Sequence, residues 1–198
     1  MPCEFHTVAH TGQGILREKM SKFIATATHV NSAAEAKAIV AETANRYHDA
    51  RHVCWAYMVG ADRKEFLSSD NGEPSGTAGK PILGQINSAG ITDVVVTVVR
   101  YFGGIQLGTS GLIAAYREAA RLAIEDAGRI TDHVRETISV TFPYLAMNPV
   151  MRVLKSCSEA KIVAQEFDNS CIITLSIRSD MADELRSRLA GVDGTSLD

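Results

Sequence analysis

Two glycine-rich blocks carry the groups of this chain that could bind an anion. The first block spans residues 70–81 and the second spans residues 100–111. Glycine lets backbone amides approach a ligand closely, and amides at the start of a helix attract phosphate or carboxylate groups. For the first block a structural turn is the favoured interpretation, and anion binding is the alternative. The residues predicted to contact an anion are Ser75, Gly76, Thr77, Gly79, Lys80, Arg100, Gly103 and Gly104.

Arg100 ends a very apolar segment, and its guanidinium is expected to project beside the second block. It could bind an anion, or it could pair with Asp70 or Glu73. The internal pairing is the favoured expectation. We also expect Lys80 and Arg100 to share one rim, where both charges would face a ligand.

Neither block is a nucleotide-binding motif. Gly79-Lys80 is present, but Pro74 stands where a phosphate loop has its first glycine and Pro81 where it has its hydroxyl residue. The distance from Gly103 to Gly108 is one residue too long for the dinucleotide fingerprint. A nucleoside triphosphatase and a dinucleotide-binding fold are therefore not predicted.

Catalytic chemistry has few candidates in this sequence. His52 and Cys54 lie two residues apart on a predicted strand, so their side chains share a face. A thiolate–imidazole pair is one interpretation, and a packed, buried cysteine is the favoured one. The histidines and cysteines are too scattered for a compact metal site. We predict no catalytic residue, no metal and no cofactor.

Composition and charge limit the function classes. The net charge is −3, and 45% of the residues are hydrophobic, which is ordinary for a globular protein. Such a balance argues against a strongly basic nucleic-acid surface and leaves room for a local basic patch. No apolar run approaches the ~20 residues that span a bilayer, and the first residues do not resemble a secretory signal. We therefore expect a cytoplasmic protein with free thiols and no membrane partner.

The first part of the chain reads as an α/β unit. Two strands are predicted between Gly14 and Val30, followed by a helix that Ser32 and Glu35 begin with a capping box. The run Val94–Val99 predicts a strand covered on both faces. The remaining predicted elements are strands at His52–Val59 and Glu65–Ser69 and a helix over residues 109–127.

The pattern restarts after Gly128, and residues 128–132 are predicted to be a linker. We expect domains at residues 1–128 and 132–198. The second domain is predicted to begin with a strand at 134–142 and a helix from Asn148-Pro149 to Glu159. Two strands follow at 161–167 and 171–177, joined by a turn at Asp168-Asn169-Ser170. A helix at 181–189 and a short strand near Thr195–Asp198 complete the domain. This order is most of a ferredoxin-like split unit.

Three segments resemble the Impact/YigZ family. They are Asp70–Leu83, Val98–Gly104 and Ala50–Tyr57. The resemblance covers residues 14–127 with high specificity and residues 133–197 more weakly. Asn71 stands where many relatives have a second Asp, and Gln106 stands where many have Lys.

The resemblance implies an α+β fold and a role in translation. The amino-terminal domain would be like the second domain of a small-subunit ribosomal protein, and the carboxy-terminal domain would be ferredoxin-like. The implied function is non-enzymatic regulation, through binding of RNA, the ribosome or a translation factor. The alternative is an enzyme that acts on a small anionic substrate near His52, Glu73, Lys80 and Arg100. The oligomeric state stays open.

Overall fold

The structure is a computed structural model that describes residues 3–168 and 170–198. Its contacts divide the chain into two compact units, Met1–Asp132 and His133–Asp198. Each unit combines a β-sheet with packed helices, so the fold is of mixed α and β composition.

The described residues of the first unit form seven strands and three helices. The strands are β1 (Glu4–Val8), β2 (Gly12–Glu18), β3 (Ser21–His29), β4 (His52–Val59), β5 (Glu65–Ser69), β6 (Val94–Tyr101) and β7 (Arg129–His133). The helices are α1 (Ala33–Arg46), α2 (Gly79–Ala89) and α3 (Gly108–Ala127).

Five strands form one antiparallel sheet in the order β2-β3-β6-β4-β5. Strand β6 lies at its centre, and seven of its eight residues are buried. Val96 packs in a core with Ile82 of α2 and Tyr116 of α3, whereas Val95 packs in a second core with Ala36 of α1. The prediction of a strand covered on both faces is therefore confirmed.

Helix α1 begins as its sequence predicts. The amide of Glu35 donates a hydrogen bond to Ser32 Oγ at 3.2 Å, and the backbone amide of Asn31 donates to Glu35 Oε2 at 2.7 Å. This reciprocal capping satisfies amides that have no partner within the helix. The capping box is confirmed, with the Glu35 carboxylate reaching one residue further back than the standard pattern.

The prediction of a linker at residues 128–132 is wrong. Arg129–His133 forms strand β7, which pairs with β1 in a separate two-stranded sheet. Ile130 and Thr131 are β-branched and suit a strand, and Thr131 Oγ1 lies 3.2 Å from His6 Nδ1. The partner strand lies more than a hundred residues earlier in the chain, so no local sequence pattern predicts the pairing.

The second unit is a four-stranded antiparallel sheet with two helices. Its elements are β8 (Arg135–Phe142), α4 (Met147–Lys155), β9 (Lys161–Phe167), β10 (Cys171–Arg178), α5 (Ala182–Ala190) and β11 (Ser196–Leu197). The strand order is β11-β8-β10-β9. Ile138, Ile173, Val150 and Leu185 meet in one core, which places α4 and α5 on the same face of the sheet.

Three features of this unit bear on its predicted elements. Helix α4 ends at Lys155, so the predicted end at Glu159 is wrong. The Ser156 amide donates to the carbonyls of Arg152 and Val153, and the Cys157 amide donates to that of Leu154. These bonds close the helix. The last strand is short, as expected. The predicted turn at 168–170 includes Asn169, which lies outside the described residues.

None of the helices in the described ranges combines the length and the apolar character that crossing a bilayer requires.

Candidate functional site

The first glycine block folds around a carboxylate from its own sequence. Asp70 Oδ2 accepts the amide of Gly76 at 2.8 Å, and Asp70 Oδ1 accepts the amides of Ala78 at 3.0 Å and Gly79 at 2.8 Å. Gly79 is the first residue of α2, so Asp70 occupies the place where a bound anion would sit at this helix N-terminus.

The pKa of Asp70 is lowered from its ordinary value of 3.8. Partial burial acts to raise the pKa, but the amides of Gly76, Gly79 and Ala78 favour the charged form and outweigh it. A nearby positive charge on Lys80 lowers the pKa further. Asp70 is therefore a permanent internal anion near neutral pH.

The remaining predicted residues of this block face two directions. Thr77 is buried, and its amide and hydroxyl both donate to the Pro74 carbonyl, at 3.1 and 2.6 Å. Ser75 and Lys80 are exposed. Lys80 lines a shallow depression together with Arg117 of α3.

Arg100 forms a buried ion pair with Glu73. Its Nη1 donates to Glu73 Oε1 at 2.6 Å, and the two residues are 6% and 9% exposed. The guanidinium carbon lies 5.5 Å from the ring centroids of Phe23 and of Phe102, close enough for cation–π attraction. Of the two predicted internal partners, Glu73 is the one that Arg100 contacts.

Glu73 Oε1 gathers further groups around this pair. The Tyr116 hydroxyl donates to it at 2.8 Å, and His52 Nε2 lies 3.9 Å away. The loop itself holds Glu73 in place, because the Glu73 amide donates to the Asp70 carbonyl at 3.0 Å. The two carboxylates of the first block thus have different partners: backbone amides for Asp70 and side chains for Glu73.

The Arg100 Nε–H is buried and has no hydrogen-bond acceptor among the residues that the structure describes. A buried donor without an acceptor costs about 1–3 kcal/mol. Native proteins rarely leave such a group unsatisfied, so this arrangement of Arg100 carries an energetic cost.

His52 is oriented by the same loop. Its Nδ1 lies 2.8 Å from the Asn71 carbonyl oxygen, which can only accept, so Nδ1 carries the proton and donates. In the neutral form of the ring, Nε2 is therefore the nitrogen without a proton, and it lies 3.9 Å from Glu73 Oε1. Asn71 is fixed in turn, because its side-chain amide donates to the Val53 carbonyl at 2.9 Å.

Cys54 behaves as a packing residue. Burial raises the pKa of its thiol to about 12, and the thiol donates to the Asp70 carbonyl at 2.9 Å. Burial likewise raises the pKa of Tyr116, whose hydroxyl lies 3.4 Å from Cys54 Sγ. Both groups stay protonated near neutral pH, so neither is a nucleophile in this environment.

A cavity of about 440 Å³ opens over this cluster. His52, Glu73 and Arg100 contribute to its wall, and so does the beginning of helix α3. The residues that line it are Arg51, His52, Gly72, Glu73, Pro74, Arg100, Phe102, Gln106, Leu107, Gly108, Thr109 and Leu112.

The glycines of the second block have a structural use. The Gly103 amide donates to Ser21 Oγ at 3.3 Å, and any Cβ at this position would overlap the backbone of Met20. Gly104 has a φ of 87°, a left-handed conformation that glycine adopts without strain. The two residues turn the chain from β6 toward α3.

The structure brings three predicted residues, His52, Glu73 and Arg100, into one cavity. Lys80 lines the separate depression, so Lys80 and Arg100 do not share a cavity wall. Sequence reasoning missed Arg51, which directly precedes β4, and the polar role of Tyr116. Tyr116 carried a usable signal, since a tyrosine on a buried helix stripe needs a partner for its hydroxyl.

Within residues 3–168 and 170–198, no group of three His, Cys, Asp or Glu side chains is placed to hold a metal ion. The four cysteines are free thiols, and only Cys3 is exposed.

Comparison with known proteins gives consistent matches. The sequence model of the Impact N-terminal domain matches residues 19–124. The chain is 32% identical to the IMPACT family member YigZ of Escherichia coli strain K12, over 90% of this chain and 88% of that protein. A crystal structure described as that of a hypothetical protein is 28% identical, with a TM-score of 0.80 over 100% of this chain and 97% of the other.

The structure of a two-domain translational regulator, Yih1, aligns with 60% of this chain at 27% identity. The alignment covers 47% of the Yih1 chain. Its TM-score is 0.35. At that score the two folds are not shown to be alike.

Proposed function

Because this chain belongs to the Impact family, we propose that it is a translation-associated regulatory protein of the cytoplasm that binds ribosomal RNA without catalysing a reaction. The family resemblance supports the link to translation. The observation that supports RNA as the contact is the exposed depression at Lys80 and Arg117, whose lining residues include no carboxylate.

The surface proposed to meet the RNA is narrow. Of the residues singled out in the first block, Ser75 and Lys80 are exposed and Gly76 is partly exposed. Thr77 and Gly79 are buried, so they stabilise the loop and do not belong to the surface that would contact RNA. Gln85 and Ser88 add polar side chains to the depression, and phosphate oxygens accept hydrogen bonds from such groups.

The charge of the chain predicts weak, salt-sensitive binding. Because the net charge is −3, attraction has to come from the local pair Lys80 and Arg117. Each phosphate contact contributes roughly 0.7–0.9 to the logarithmic salt slope. Two contacts therefore predict a slope near −1.5 from this patch.

Co-sedimentation with purified ribosomal subunits at low and high salt tests the proposal. Lys80→Ala and Arg117→Ala should each weaken binding and each reduce the salt slope by roughly 0.7–0.9. Thermal stability should stay within about 0.5 kcal/mol, because both side chains are exposed. Lys37→Ala, an exposed lysine of α1, is the matched control.

Equal binding of all three variants and the wild type would refute RNA contact at this depression. Sedimentation that is lost only after translation factors are washed from the subunits would indicate a factor as the partner.

An enzyme acting on a small anionic substrate is the second candidate. The observation that favours it is the cavity shared by His52, Glu73 and Arg100. In that case the unprotonated His52 Nε2 would accept a proton and Arg100 would anchor the substrate. His52→Ala separates the two functions, because ribosome binding should survive it and turnover of any substrate should not.

We also infer that the two units fold independently and have the resemblances expected from the family. The βαββαβ order and the β11-β8-β10-β9 sheet of the second unit support a ferredoxin-like fold. The resemblance of the first unit to a ribosomal protein domain rests on the family alone. Fragments 1–133 and 134–198 should each give a cooperative unfolding transition, whereas fragment 1–128 lacks β7 and should be less stable. Loss of all structure in fragment 1–133 would count against independent units.

A further inference from the structure

We propose that the cavity between Arg51, Arg100 and the start of α3 binds a small molecule through an oxyanion group, a phosphate or a carboxylate. This inference does not depend on ribosome binding, because the proposed RNA contact at Lys80 and Arg117 lies in a separate depression.

The first support is the open end of helix α3. The helix is 20 residues long, and its N-cap residue, Leu107, has an apolar side chain that gives no capping hydrogen bond. The first turn, Gly108 to Gly111, contains no acidic residue. The first amides of a helix have no partner within it, and the helix dipole adds a partial positive charge there. Gly108 and Thr109 bring this end to the cavity wall.

The second, independent support is Arg100. It is more than nine-tenths buried, it lines the same cavity, and its Nε–H has no acceptor within the described part of the chain. The Nε atom itself has almost no accessible surface, so an oxyanion in the cavity would face the part of the guanidinium that lines the wall. A charged oxygen acceptor also makes the stronger kind of hydrogen bond to a guanidinium.

The charges around the cavity favour an anion. Glu73 is the one carboxylate among the lining residues, and its charge is matched by Arg100 at 2.6 Å. Arg51, which is exposed at the rim, has no such match among the lining residues. Arg51 and the α3 terminus therefore leave a positive balance.

Size and lining point to a small molecule. A volume of about 440 Å³ falls in the range of small-molecule sites. Phe102, Leu107 and Leu112 give the cavity an apolar side, which suits a ligand with a ring or a short hydrocarbon body.

Backbone-amide NMR on the full chain tests the proposal directly. The probes are inorganic phosphate and acetate, each titrated against sodium chloride at equal ionic strength. We expect saturable shifts of the Thr109, Ser110 and Gly111 amides with phosphate, with acetate or with both. The preferred probe identifies the oxyanion class. Shifts that only follow ionic strength overturn the proposal.

Thr109→Glu is the deciding variant, because it places an internal carboxylate at the open helix end, as Asp70 does at α2. Thr109→Gln has the same size without the charge. We expect the apparent affinity of Thr109→Glu to be at least tenfold below that of Thr109→Gln. Equal affinities of the two variants would place the anion elsewhere and overturn the proposal. Lys37→Gln, a charge loss on α1, should leave the affinity as in the wild type.

A short single-stranded RNA distinguishes the small ligand from the ribosomal partner. At equal phosphate concentration it should leave the Thr109 and Ser110 amides unshifted. Shifts as large as those from inorganic phosphate would assign the cavity to nucleic acid and overturn the proposal.

Discussion

The two glycine blocks lead into helices in opposite ways. At the first block, the Asp70 carboxylate accepts hydrogen bonds from the amides of Gly76, Ala78 and Gly79. At the second, the helix starts at Gly108 with an apolar N-cap residue and faces a cavity. Similar glycine content therefore gives one closed helix end and one open helix end.

The difference follows from where the acidic residues fall. Asp70 opens the first block, nine residues before the helix begins, and the turn folds back far enough for its side chain to reach the amides. The second block, residues 100–111, contains no Asp or Glu at all. A glycine-rich helix entry indicates an anion-binding loop only when the chain does not supply the anion itself.

The largest expected effect concerns Arg100, the buried charge that lines the cavity beside the start of α3. Arg100→Ala should lower the free energy of unfolding by about 3–5 kcal/mol, because it leaves Glu73 buried and uncompensated. Urea denaturation measures the loss. Adding Glu73→Gln should restore part of the stability, and a double variant no more stable than Arg100→Ala would show that the loss comes from packing and not from charge.

Removing the internal anion should convert the closed end into an open one. Asp70→Ala leaves three amides without their acceptor and should cost about 2–3 kcal/mol. Inorganic phosphate should then stabilise Asp70→Ala more than the wild type, measured as a rise in Tm at constant ionic strength. If phosphate shifts the two Tm values equally, the vacated amides do not form an anion site.

Acid should weaken the closed end in a predictable range. The folded pKa of Asp70 lies below its ordinary value of 3.8, so its contribution to stability is present above that pH and is lost as the pH falls through the folded pKa. The difference in unfolding free energy between the wild type and Asp70→Asn should be constant from pH 7 to pH 5 and shrink below about pH 4. A difference that does not shrink would mean that the ionised carboxylate is not what stabilises the loop.

The smallest expected effect comes from closing the open end. Thr109→Glu should raise the free energy of unfolding by about 0.3–1 kcal/mol, since a carboxylate in the first turn interacts favourably with the helix dipole. Thr109→Gln is the neutral reference in the same denaturation measurement. A Glu variant less stable than the Gln variant would indicate that this helix end already holds negative charge.

Local patterns predicted most of the fold. The central strand was predicted from the run Val94–Val99, and the start of α1 was predicted from Ser32 and Glu35. Both signals lie within a few neighbouring residues, and both predictions are confirmed. Strand β7 was missed because its partner, β1, lies at the other end of the unit, and a pairing of that range leaves no short-range pattern.

The candidate site was predictable in its residue types and not in its contacts. Arg100 was expected to pair with Asp70 or with Glu73, and the structure selects Glu73. That Tyr116 would join them from α3, 43 residues after Glu73, depends on how the helix lies on the sheet. The separation of Lys80 from Arg100 likewise depends on the turn between Asp70 and α2.

The pairing of β1 with β7 places the first and last strands of the amino-terminal unit side by side. A unit whose ends meet can be reconnected there by a short linker and opened elsewhere. The polar turn between β4 and β5, residues 61–64, joins two adjacent strands at the sheet margin and lies outside the hydrogen bonds that tie Gly60 to Thr92 and Asp93, which makes it a suitable opening point. We therefore expect a circular permutant of the first unit, joined at the paired ends and opened in this turn, to keep its five-stranded sheet and both glycine blocks.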